Sequence, residues 1–198
     1  AYAVSYKDGG EGNIGVEFTA TSRCSFFRIA YPAGEKALLF LEAGREKEGG
    51  SIEIDPANNE IRICNRERHD SHLGPPLYNL KGCYVLRFSQ PFTAYGTWNG
   101  TSVHEGRPRT CGSAAGGYVE FAPGTELVEI RIGSSFIDHA QAAANLDREI
   151  PQGASFADTR DRVRDTWARA LEKATLKGAS EEDMHIFYTA FFRTLQYP

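Results

Sequence analysis

Two stretches of the sequence hold residue types capable of chemistry. His69-Asp70-Ser71-His72 sets two imidazoles three positions apart with a carboxylate between them, types that bind metal ions or move protons. A metal site needs further ligands held rigidly, and none accompanies this cluster in its polar loop between Cys64 and Pro75. It reads as a solvated loop, and no metal ligand is assigned. Gly96-Thr97-Trp98-Asn99-Gly100 places an indole at a Gly-flanked strand end. There Trp98 can stack on the C–H face of a sugar, or it plugs the end of the fold. Acid–base cleavage of a sugar linkage would need two carboxylates facing each other across it. The 26 acidic residues are spread along the chain and single out no pair, so no catalytic residue is assigned.

Other candidates have simpler readings. Arg23 and Arg28 flank a core strand, where they pair with carboxylates or meet a ligand at an edge. Trp167 lies on the apolar stripe of a helix and reads as packing. The Gly-rich run 110–117 lacks the lysine and the strand-then-helix context of a phosphate loop, and reads as a mobile loop.

The elements that must position these residues are β up to about Phe136. Val16, Phe18 and Ala20 alternate with polar neighbours, and Phe26, Arg28 and Ala30 continue the period of two. Lys36 to Ala43 reads as a buried strand. Ser51 to Asp55 and Glu60 to Cys64 form a hairpin around Pro56-Ala57-Asn58-Asn59, with Ile52, Ile54, Ile61 and Ile63 on its core face. Tyr84 to Phe88, Thr93 to Trp98, Gly117 to Phe121 and Leu127 to Ile132 supply four more strands. Many short strands without βαβ alternation mean an antiparallel β-sandwich.

After Ser135 the period becomes helical. Asp138 to Ile150 ends at Pro151; Ser155 opens a second helix running to about Leu176, with Gly178 as its stop. Ser180 opens a third, apolar round most of its circumference at Ile186, Phe187, Ala190, Phe191 and Leu195. Such a helix needs cover on several sides. The sequence also begins in strand pattern, so the chain is expected to be a fragment entering a larger body.

A net charge of −4 gives no case for nucleic acid or an anionic membrane, and no apolar run reaches the ~20 residues that span a bilayer. Four cysteines, Cys24, Cys64, Cys83 and Cys111, contain no C-x-x-C pair. Either Cys64 bonds Cys83 around one loop, or the thiols are free and buried. Asn99-Gly100-Thr101 is a glycosylation sequon, in keeping with secretion.

Several blocks resemble glycoside hydrolase family 92. Val16 to Pro32 (VEFTATSRCSFFRIAYP), Phe92 to Trp98, Gly117 to Phe121 and Val128 to Ile137 are similar to its sandwich strands. Asp138 to Pro151 is similar to its linker helix, and Ile186 to Pro198 (IFYTAFFRTLQYP) to the entrance of its catalytic domain. The resemblance implies an incomplete, supersandwich-like antiparallel β-sandwich followed by C-terminal linker α-helices. It divides the chain into a sandwich portion (1–136), linker helices (137–178) and the start of an (α/α)6 catalytic domain (179–198). It also implies the non-catalytic side of a secreted, extracellular or periplasmic exo-α-mannosidase, inverting and Ca2+-dependent. Its partners are mannose-containing glycans and the remainder of its own catalytic domain, which carries the calcium ion. The alternative is a stand-alone carbohydrate-binding module. The resemblance departs at Phe27, where the family usually has His, at Ser25, where it has Gly, and at Arg193, where many members have His.

Overall fold

The computed structural model describes residues 1–7, 13–45, 49–66 and 79–196, with only the backbone of Tyr6 and Lys7. The His69-Asp70-Ser71-His72 cluster lies outside the described residues.

The molecule has three layers. The middle layer is an eight-stranded antiparallel sheet of β1 (Tyr2–Lys7), β2 (Asn13–Ala20), β3 (Cys24–Ala30), β12 (Leu127–Ser135), β7 (Gly82–Phe88), β6 (Glu60–Asn65), β5 (Gly50–Asp55) and β10 (Arg109–Gly112), in that spatial order. One face meets a four-stranded sheet ordered β4 (Leu38–Glu42), β11 (Ala115–Glu120), β8 (Ala94–Asn99) and β9 (Ser102–Glu105). The other face carries α1 (His139–Glu149) and α2 (Phe156–Leu171); α3 (Glu181–Thr194) packs on α2. The fold is thus the expected mainly β sandwich followed by helices.

The isoleucine alternation of the β5–β6 hairpin does what it predicts. Ile52 faces Ile63 and Ile54 faces Ile61 across the ladder, and all four are buried in the core between the sheets. Leu39, Leu41, Tyr95 and Val119 enter this core from the smaller sheet. A second cluster, of Cys24, Phe26, Leu146, Ile150 and Phe156, lies on the helix side.

Three expectations are corrected. Lys36 to Ala43 is not buried on both faces, because Leu39 and Leu41 point inward while Phe40 is 64% exposed. The run 110–117 is not a loop: it is the end of β10, a turn, and the start of β11. Its glycines give the close approach that neighbouring side chains need, since a Cβ on Gly117 would press on Ile52 and Ile54. The second helix stops at Leu171, well before Leu176, where Ala174 N–H bonds the Leu171 carbonyl in a tighter turn. Among the described residues no helix is long and apolar enough to cross a membrane.

Candidate functional site

Trp98 lies in β8, one residue before its end as expected, opposite Gly116 of β11 and Val103 of β9. Its indole rests against the β11 backbone, because a Cβ on Gly116 would collide with Cζ2 and Cε2 of the ring. Tyr118 repeats this arrangement in reverse: a Cβ on Gly96 of β8 would fall 2.6 Å from its Cε1. Phe40, paired with Tyr118 across β4 and β11, completes the group at ring-centroid distances of 6.1 Å to Trp98 and 6.3 Å to Tyr118. By strand alternation Glu42, Glu105 and Glu120 share this outer face. Arg45 pairs with Glu42, and Lys36 lies 3.5 Å from Glu120. Burial, with Glu105 and Glu120 adding to it, raises the Tyr118 hydroxyl above its usual pKa. Phe40 and Tyr118 were not singled out from sequence, because strand pairing is what brings them beside Trp98.

The opposite side of the molecule is a junction between sheet and helices. The Asp138 carboxylate caps α1 by accepting from Gln141 N–H at 2.7 Å. Ala142, Leu146 and Ile150 are fully buried against the sheet, and Gly133 of β12 has no room for a Cβ beside Ala142 and Leu146. Polar ties surround this contact. Asn145 donates to the Ser134 carbonyl at 2.9 Å and Arg131 to the Ile150 carbonyl at 3.0 Å. Glu149 accepts from the Thr21 hydroxyl at 2.6 Å and from Arg23 N–H at 3.0 Å. Burial alone would raise the Glu149 carboxyl, but these donors and the Arg23 guanidinium outweigh it and hold the pKa below the ordinary value. Arg87 bridges Glu60 of β6 and Asp147 of α1.

Arg23 and Arg28 therefore pair with carboxylates. Arg28 lies 3.3 Å from Glu17 and 3.6 Å from Glu129, with its guanidinium 5.4 Å from the Phe156 ring centre. Trp167 packs on Phe192 at 4.5 Å between α2 and α3. Phe27 stacks on Phe18 at 5.3 Å.

Cys64 and Cys83 form a disulfide across β6 and β7. His139 Nε2 lies 3.4 Å from Cys64 Sγ and 3.1 Å from the Ile63 carbonyl, so this nitrogen carries the proton. Burial, then the Glu149 carboxylate, push the Cys24 thiol up to about 11, and Cys111 is exposed and free. Among the described residues, Cys64, Cys83 and His139 make up the single group of three or more side chains spaced to share a metal ion. It offers sulfur and nitrogen, with both sulfurs bonded to each other, whereas calcium takes oxygen ligands. These residues do not fit calcium.

The described residues thus form a two-sheet antiparallel sandwich with helices docked on one face. The sequence pattern of the glycosyl hydrolase family 92 N-terminal domain matches residues 1–135, and that of the family's catalytic domain matches residues 141–198. The chain belongs to glycoside hydrolase family 92. It is similar to the family GH92 inverting mannosidase BT2199 of Bacteroides thetaiotaomicron VPI-5482, with 27% identity and a TM-score of 0.88 over 100% of this chain and 25% of that one. The family GH92 α-mannosidase BT3965 of Bacteroides thetaiotaomicron shares the fold at 18% identity, with a TM-score of 0.76 over 91% of this chain and 26% of that one. The chain thus spans about a quarter of the solved structures it matches. No curated protein matches the sequence.

Proposed function

We propose that the chain is the non-catalytic sandwich and linker portion of a secreted, calcium-dependent exo-α-mannosidase that removes terminal α-mannose from N-glycans or mannan with inversion. Its division is a sandwich portion (1–136), linker helices (137–178) and the start of the (α/α)6 catalytic domain (179–198). The observation that carries this reading is the split of the family match: strands to the N-terminal domain, helices to the catalytic one. Two further observations support it. No residue of α3 is buried although Ile186, Phe187 and Phe191 are apolar, so this helix suits a partner from the remaining catalytic domain. The best-anchored carboxylates, Glu60 and Glu149, are engaged by arginines and by Thr21. Calcium is then held by residues outside those described, and the disulfide suits an extracellular or periplasmic setting. Trp98 is the residue that meets mannose-containing glycans.

The test is hydrolysis of an aryl α-mannoside in the presence of calcium. Residues 1–198 alone are expected to give no turnover, while the parent enzyme turns over and stops when a chelator is added. Turnover by residues 1–198 would overturn the proposal.

A further inference from the structure

We infer that the outer face of the four-stranded sheet is a glycan-binding surface, on which Trp98, Tyr118 and Phe40 receive the apolar faces of pyranose rings. The identity of the sugar, an α-mannan, rests on the mannosidase reading; the surface does not.

Two rings of the face lie against the sheet and a third stands tilted beside them, at 58° to Trp98 and 48° to Tyr118. Trp98 lies against Gly116 and Tyr118 against Gly96, each glycine on the neighbouring strand, so each ring turns one side to the sheet and the other outward. Phe40 stands within 6.3 Å of both ring centres and is 64% exposed. An aromatic face attracts the C–H side of a sugar, much as it attracts a T-shaped ring edge. The hydroxyls at the rim of a pyranose need acceptors, and Glu42, Glu105 and Glu120 share the face on which these rings lie.

Charge and area favour this occupant. Three carboxylates, two of them paired with Arg45 and Lys36, leave the face slightly acidic and give it no attraction for nucleic acid or anionic lipid. The exposed apolar surface comes from Phe40, Val103 at 61% exposure, and parts of Leu38 and of two half-buried rings. Taking roughly 150–250 Å² per aromatic side chain, it amounts to on the order of 400 Å², half the ~800 Å² that each partner gives to a standard protein interface. That area matches a few sugar rings. The face also points away from α1 and α2, which occupy the far side of the eight-stranded sheet, so neither helix blocks a long polysaccharide.

The experiment is affinity electrophoresis of the parent enzyme in the cold, through gels with and without soluble α-mannan. The unmodified enzyme is expected to be retarded by mannan. Trp98→Ala should raise the dissociation constant about tenfold, equivalent to one lost stacking contact. Phe40→Ala removes an exposed side chain without opening the core, so it tests the surface even if Trp98→Ala unfolds the sheet; about a threefold loss is expected. Absence of retardation, or retardation unchanged in both variants, overturns the inference. Aryl α-mannoside hydrolysis by the same unmodified enzyme tests the activity separately. Retardation without hydrolysis would overturn the mannosidase reading and leave the surface standing, and hydrolysis without retardation would do the reverse.

Discussion

Helices α1 and α3 begin in the same way and end up in opposite circumstances. Asp138 caps the first, and Ser180 caps the third by accepting from Asp183 N–H at 3.1 Å. Local signals therefore support both. Yet α1 fully buries Ala142 and Leu146, together with its C-cap Ile150, and has polar ties to β6, β7, β12 and the β2–β3 turn, whereas α3 buries none of its residues and meets α2 through Trp167–Phe192 and the turn after α2 through a Tyr188 hydroxyl donating to the Ala174 carbonyl at 3.0 Å. Capping determines where a helix starts; only apolar cover determines what it belongs to. By that measure α1 is anchored on the sandwich, although the family's catalytic-domain pattern already begins at residue 141.

The sharpest way to break the contrast is at its centre. Leu146→Ala should cost about 2–5 kcal/mol, read by urea denaturation of the chain, because α1 cannot collapse onto a sheet already in contact at Gly133. Reducing the Cys64–Cys83 bond, which spans a sequence separation of 19, should cost about 3 kcal/mol, seen as a lower melting temperature with reductant. It would loosen the strands beneath His139 at the start of α1. Arg87→Ala should cost about 1–3 kcal/mol in the same denaturation assay, since it takes a donor from the mostly buried Glu60 and frees Asp147.

Acid offers a smaller, graded probe. The folded Glu149 carboxyl titrates below its ordinary value of 4.5, so below that pH the unfolded chain binds the extra proton first. The stabilisation is complete above about 4.5 and is lost as pH falls through the folded value. Melting curves from pH 6 downward should therefore show a steeper loss for the native chain than for Glu149→Gln, and parallel curves would refute the tie. The smallest effect belongs to α3: Ile186→Ala, at a side chain 64% exposed, should stay within about 0.5 kcal/mol. A cost as large as that of Leu146→Ala would erase the distinction between the two helices.

Much of this was legible from sequence where the signal is local. The alternation at Ile52, Ile54, Ile61 and Ile63 identifies a hairpin and its inner face, and Asp138, Ser155 and Ser180 mark three helix starts that the structure keeps. The strands β9 and β10 left little trace because they are short edge strands whose residues are mostly exposed, so no hydrophobic alternation marks them. Trp98 stood out by type alone. Its companions did not, because an apolar run such as Leu38 to Leu41 looks the same whether Phe40 points to the core or to solvent. The grouping of Phe40, Trp98 and Tyr118 depends on strand pairing, which joins residues 40, 98 and 118 across the sheet and is not a property of any one segment.

The place of β12 has a consequence for how the protein is made. It is the last of the described strands in sequence but sits between β3 and β7, where it joins the two halves of the larger sheet. During synthesis the hairpins on either side are complete while the gap between them is still empty. At roughly 5–20 residues per second, the stretch from residue 88 to residue 135 leaves the edges of β3 and β7 open for a few seconds on the ribosome. Those two edges are where a nascent chain is most exposed to pairing with a neighbour, and the arrival of β12 closes both at once.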